Sequence, residues 1–223
     1  MLDTSGSVAG ETLSHLIDAG KALVTAFRSG DRAALITFSD DVTVRVPLTA
    51  KAGTISSALV SLAGRGRTAI RDAVYTALQL RPTDDSRPVV LVFTDGRDNA
   101  SWLSVSNMLA AARRAGVVIH VVSLTDEQRA YPIQPGRPSS RRESPAFAFL
   151  ERLVNAAGGR QWPATASRDL RPLFVRALDE MRARYLLTFY PQGVPPSGWH
   201  DLKVTLKRGR GDPTARPGYF VAP

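Results

Sequence analysis

The run Asp3-Thr4-Ser5-Gly6-Ser7 sets one carboxylate and two hydroxyls on alternate residues. Two later stretches offer oxygen of the same kind. Thr68 stands at the approach to a helix, and Thr94-Asp95-Gly96 ends an apolar run. Carboxylates and hydroxyls are hard donors, and they suit Mg²⁺ or Mn²⁺ in octahedral geometry. Mg²⁺ gives up its waters reluctantly, so a protein usually offers it few carboxylates and leaves positions open. Asp3 and Asp95 supply the negative charge; Ser5, Ser7 and Thr68 supply neutral oxygens. So few anionic ligands leave the ion electrophilic, and a carboxylate from outside can complete its shell. Gly6 is expected to let the loop turn tightly between its two serines. The competing reading is that Asp3, Ser5 or Ser7 merely caps the first helix. Capping accounts for one of them, not for the set with Thr68 and Asp95.

Such a site needs elements that bring three distant loops together. Leu13, Leu16, Ile17, Leu23, Val24 and Phe27 recur at helical spacing, and Ser29-Gly30 is expected to close that helix. Residues 33–38 read as a buried strand. Val42, Val44 and Val46 alternate with polar residues, as in a half-exposed strand joined to it by a hairpin. Helices are expected over 54–62 and 69–80, and strands over 88–93 and 117–124. A helix capped by Ser101 lies between those strands. Residues 125–144 form a polar loop. A helix through Phe147, Leu150 and Leu153, a short strand over 160–164 and a helix from Ser167 to Arg184 follow. Alternating strands and helices over 1–184 predict an α/β fold. Its sheet is doubly wound and mainly parallel, with helices on both faces. The strand-like stretches 185–190, 201–206 and 219–221 predict a small antiparallel β annex over 185–223. In open α/β sheets a site lies at the carboxyl ends of the strands, where the three oxygen-bearing loops fall.

The chain has 223 residues, 43% hydrophobic and 22% charged, which excludes wholesale disorder. It has no Cys, so thiolate catalysis, Cys-bound zinc and iron–sulfur centres are excluded. His15, His120 and His200 show no metal-binding spacing. The net charge is +9, and Lys occurs only at Lys21, Lys51, Lys203 and Lys207, so Arg dominates the 29 basic residues. Those Arg are spread along the chain, without a basic run interleaved with aromatics. The spread suits a compositional preference for Arg better than a nucleic-acid surface. No apolar stretch is long enough to span a bilayer.

The Asp3-x-Ser5-x-Ser7 loop, Thr68 and the Thr94-Asp95-Gly96 strand end resemble the metal-ion-dependent adhesion site of the von Willebrand factor A domain. The order of elements over 1–184 is similar to that fold. Three further stretches resemble bacterial von Willebrand factor A-related proteins: Arg67-Thr68-Ala69-Ile70-Arg71-Asp72-Ala73, Thr94-Asp95-Gly96-Arg97-Asp98-Asn99 and Ala215-Arg216-Pro217-Gly218-Tyr219-Phe220. The resemblance implies that Asp3, Ser5, Ser7, Thr68 and Asp95 hold Mg²⁺ or Mn²⁺, Asp95 through a water. It implies a protein partner offering an acidic side chain, and no enzymatic activity. It also implies export to the cell envelope or beyond, with a further β module upstream. In one respect the chain departs from the family. Only Met1 and Leu2 precede Asp3, where the family has a central apolar strand. The expectation is a truncated first strand, with ladder groups beside it left unpaired.

Other motifs have plainer readings. Gly64-Arg65-Gly66-Arg67 lacks the phosphate-loop pattern, and its arginines either flank the metal face or are solvated. Asp98 and Asn99 suit a satisfied turn, and Asp72 suits a helix N-terminus or a bond to the metal loop. Trp102 is either an interface anchor or packing at a helix start, and Trp162 and Trp199 suit core or annex. Arg210-Gly211-Asp212 is a coincidence of composition. The leading function is metal-dependent protein binding. The alternatives are metal-independent binding of nucleic acid or an anionic surface and, further off, a metal-dependent hydrolase. That hydrolase lacks a His, Cys or Lys in these loops.

Overall fold

The computed structural model describes every residue except 81, 83, 85, 87, 125–144, 196, 209–212 and 222–223. The expected 125–144 loop and the Arg210-Gly211-Asp212 tripeptide therefore lie outside the described residues.

In chain order the elements are β1 (Leu2–Asp3), a 3₁₀ turn (Gly6–Val8), α1 (Glu11–Thr25), β2 (Ala33–Phe38), β3 (Val42–Thr49), α2 (Ala52–Val60) and α3 (Ile70–Gln79). They continue with β4 (Val89–Thr94), α4 (Val105–Ala115), β5 (Val118–Leu124), α5 (Pro145–Ala157), β6 (Gln161–Ala164) and α6 (Leu170–Arg182). β7 (Gly198–Asp201) and β8 (Gly218–Val221) come last. The first six strands form one sheet in the order β3-β2-β1-β4-β5-β6. Only the β2–β3 hairpin is antiparallel; every other pairing in that sheet is parallel. β7 and β8 form a separate antiparallel pair.

Helices cover both faces, as a mainly parallel sheet requires. On one face Leu13 and Leu16 of α1, Leu59 of α2 and Phe174 of α6 pack with Leu35, Phe93 and Val122 of the sheet. Phe93 and Phe174 meet with ring centroids 6.4 Å apart. On the other face Ile70 and Val74 of α3, Met108 of α4 and Leu150 and Leu153 of α5 pack with Phe38, Val92 and Ile119. Each such side chain contributes about 1.5–3 kcal/mol when fully buried.

The first strand is short and central. Leu2 pairs with Thr37 on one side and Phe93 on the other, and Asp3 pairs with Phe38. β1 therefore spans only the carboxyl ends of its neighbours. The Met1 amino group, donating to the Leu91 carbonyl at 2.7 Å, is pushed down to about 5 by burial.

Several local expectations are corrected. α1 ends at Thr25, ahead of Ser29-Gly30, and Ser167 hydrogen-bonds His15 Nδ1 at 2.8 Å, with no capping bond to α6. The N-cap of α1 is Gly10, so none of Asp3, Ser5 and Ser7 caps it. Ser104 caps α4 by accepting from the Asn107 N–H, whereas Ser101 is taken by Asp98. Residues 185–190 form no strand, and the strand expected over 201–206 lies earlier, at Gly198–Asp201. Alternation alone predicted those strands. Among the described residues, 185–190 find no ladder partner, and a strand without one is not stable.

Candidate metal centre

Strand order reverses between β1 and β4, so the loops after these two strands diverge from a common crevice. Asp3 ends β1 and Asp95 follows β4. Asp3 is wholly buried. Its Oδ1 accepts the Ser5 N–H at 2.9 Å, and its Oδ2 accepts the Thr94 hydroxyl at 2.8 Å. Burial pushes the Asp3 carboxyl up to about 6, the two bonds from Ser5 pull it down, and the negative charge of Asp95 adds to the rise. A carboxylate is thus held in place by neutral donors while its own charge goes uncompensated. Such a group costs stability unless a cation meets it.

The Ser5 hydroxyl bonds the Asp3 carboxylate as well. Ser5 Oγ lies 3.0 Å from Ser7 Oγ. Ser5 and Thr68 are 1% and 2% exposed, so both are shielded from bulk water. Backbone bonds join the loops: the Gly6 N–H donates to the Gly66 carbonyl at 2.9 Å, and the Arg65 N–H donates to the Thr4 carbonyl at 2.8 Å. Gly6 does not take the positive φ that its expected turn implied. The glycine that needs its freedom is Gly66, at φ 78°, where a Cβ would collide with the Asp40 carboxylate. Asp40 is held against Gly66 because it accepts from the Arg67 backbone at 3.1 Å and from the Arg67 guanidinium at 2.9 Å.

Some positioning residues had no decisive signal in the sequence. Asn99 Oδ1 accepts the Thr68 N–H at 2.8 Å, while the Asn99 and Ala100 N–H groups both donate to the Thr68 carbonyl at 3.0 Å. Thr68 is held from the loop after β4 on both sides of its backbone. Thr4 donates to the Phe38 carbonyl at 3.1 Å. Asp98 accepts the Arg71 N–H at 3.0 Å and pairs with its guanidinium at 3.1 Å, so it closes the N-terminus of α3. Asp72 accepts the Trp102 and Leu103 N–H groups of the loop after β4 at 2.8 and 2.9 Å. Its place in the first turn of α3 fits the helix N-terminus reading, and its bonds go to the loop after β4 rather than to residues 3–7.

Among the described residues, no cluster of three or more His, Asp or Glu is arranged for a metal. A site at this edge has to use hydroxyls beside its two acids. Asp3, Ser5, Ser7, Thr68 and Asp95 offer that donor set, and the uncompensated Asp3 charge suits a small hard cation.

The fold and sequence have relatives. The family model for the von Willebrand factor type A domain matches residues 1–134. A search of curated proteins finds no match. An aerotolerance-related membrane protein from Bacteroides fragilis superposes with a TM-score of 0.61 at 19% identity, covering 81% of this chain and 96% of that one. BatB from Bacteroides thetaiotaomicron superposes with a TM-score of 0.63 at 17% identity, covering 82% and 97%. Proximal thread matrix protein 1 from the mussel byssus, solved with zinc in its MIDAS motif, gives 0.62 at 19% identity, covering 81% and 44%. At these identities the superpositions speak for the fold, and the family model speaks for descent: the chain belongs to the von Willebrand factor type A domain family.

Proposed function

We propose that the chain is a divalent-metal-dependent protein-binding module. Asp3, Ser5, Ser7 and Thr68 hold Mg²⁺ or Mn²⁺ directly, and Asp95 holds it through a water. The bound ion supplies an electrophilic position for an acidic side chain of a protein partner. The observation that carries this reading is the buried, hydrogen-bonded Asp3 carboxylate, pushed up to about 6 beside Asp95 at the switch point of the sheet. Zinc in the MIDAS motif of the mussel protein is a precedent for a divalent ion in this fold.

Three features favour binding over hydrolysis. The loops offer no His, Cys or Lys as a base. Asp40, Asp72 and Asp98 are each engaged in holding backbone. The family's members typically act as adhesion or scaffold modules. Residues 1–184 are taken as the domain and 185–223 as an annex, supported by the separate β7–β8 pair.

The test is a thermal melt with and without Mg²⁺ or Mn²⁺, on the wild type and on Asp95→Ala. A hundredfold excess over the dissociation constant stabilises the wild type by about 2.7 kcal/mol. The variant is expected not to respond. A cooperative melt that metal shifts in neither protein sinks the proposal. It would turn attention to the basic surface, whose binding is steeply salt-dependent.

A further inference from the structure

We propose that Trp102 is the second anchor of this binding face: a protein partner that brings an acidic side chain to the metal position also lays an apolar side chain on the Trp102 indole. This rests on the metal-dependent reading above and names the chemistry of the partner.

Trp102 is 97% exposed. An indole carries about 150–250 Å² of surface that gains from burial. The main chain beneath it is fixed. Asp72 accepts the Trp102 and Leu103 N–H groups at 2.8 and 2.9 Å. Asp98 accepts the Ser101 N–H at 3.2 Å and its hydroxyl at 2.8 Å. Asn99 and Ala100 donate to the Thr68 carbonyl. Every N–H from Asn99 to Leu103 is thereby engaged, yet the largest side chain of the stretch is left in water. A rigid platform presenting a stiff aromatic loses little entropy on binding, which is the usual property of a hot spot.

The platform and the metal face are one piece of structure. The loop that runs from Asp95 to Ser104 carries Trp102, and its middle holds the backbone of Thr68. A partner seated on the metal therefore meets the same loop. Arg65 and Arg97, exposed on the loops that carry Thr68 and Asp95, favour a partner with acidic character. Its recognition element is an Asp or Glu accompanied by an aliphatic or aromatic residue.

The probe is a phage-displayed library of random peptides, selected on the immobilised full chain in Mg²⁺. Selected peptides are then titrated into the wild type, Trp102→Ala and Asp95→Ala, with Mg²⁺ alone titrated into each as a separate readout. The expected result is a set of peptides pairing Asp or Glu with an apolar residue. Their affinity falls by roughly tenfold or more on Trp102→Ala, while the melt and the Mg²⁺ affinity stay at wild-type values. Peptides that bind Trp102→Ala as tightly overturn this proposal and leave the metal reading standing. Peptides lost on Trp102→Ala but indifferent to chelator and to Asp95→Ala overturn the two-point face and the metal reading with it. Enrichment no better than on a variant lacking both side chains overturns the proposal. Self-association abolished by Trp102→Ala overturns it too, by giving the indole to a second copy.

Discussion

The two ends of the parallel sheet solve opposite electrostatic problems. At the carboxyl ends of the strands, helices begin and free N–H groups accumulate; at the amino ends, helices finish and free carbonyls accumulate. Acids serve the first end. Asp98 closes α3, Asp72 holds the approach to α4, and Asp3 sits buried beneath the loops. Arginines serve the second end. Arg182 donates to the Ala26 carbonyl after α1 at 2.8 Å, and Arg216 donates to the Arg113 carbonyl in α4 at 2.6 Å. Arg184 donates to the Gly158 carbonyl after α5. The β7–β8 pair is fastened to the same end. Arg113 stands 5.7 Å from the Trp199 ring centroid, Arg114 stands 5.2 Å from that of Phe220, and Gly158 makes room for the Arg216 backbone. The difference teaches that the chain's high Arg content is partly structural. Arginines that look like spread-out surface charge in the sequence satisfy helix termini in the fold, which leaves fewer of them for an anionic surface. At the acidic end Asp98 and Asp72 each meet backbone N–H groups, whereas the Asp3 carboxylate is buried with neutral donors only.

The sharpest break in this symmetry is titration, because both ends bury groups shifted against their charge. His120, at the amino end of β5, accepts the Arg160 N–H at 3.0 Å, and burial pushes it down to about 4, with the Arg184 charge adding to the drop. A depressed imidazole contributes stability above 6.5 that is lost as pH falls through 4. Between those values the loss is about 3 kcal/mol. Urea unfolding across that range is expected to show a shallower acid limb for His120→Gln than for the wild type. Parallel limbs would remove His120 from the account.

Asp3 runs the other way. Its raised carboxyl favours the fold below 3.8, and that contribution is lost as pH rises through 6. Asp3→Asn is therefore expected to raise metal-free stability at pH 7 by up to about 3 kcal/mol, and to abolish the response to Mg²⁺. A variant that melts lower than the wild type without metal would show that the loops are already satisfied.

Arg216→Met keeps the side chain's bulk and removes its bond to the Arg113 carbonyl. A loss of roughly 2 kcal/mol is expected. Hydrogen exchange should rise in the β7–β8 pair before it rises in β4 and β5. Uniform exchange would mean that the pair does not depend on this bond. The smallest effect belongs to Leu187, 70% exposed, where Leu187→Ser should change stability by less than about 0.5 kcal/mol in denaturant unfolding.

The parallel strands and covering helices were legible because burial on both faces leaves short apolar runs between amphipathic segments. The oxygen-bearing loops were legible because local spacing carries them. What stayed hidden is non-local. Asn99 could not be tied to Thr68 across 31 residues, nor Arg216 to Arg113 across 103. The choice of Ser104 over Ser101 as a cap depended on Asp98 having already engaged Ser101. The apolar alternation of 185–190 looks like a strand because sequence pattern reports the side chains of a strand and not the neighbour it needs.

The bond from Arg182 to the Ala26 carbonyl has a kinetic meaning. It joins residues 156 apart, and the same guanidinium grips Asp31 at 2.7 Å. Closing so long a loop is entropically slow. The C-terminal turn of α1 is therefore expected to gain its last contacts only when α6 docks, so that the helix following the first oxygen-bearing loop would be completed late in folding.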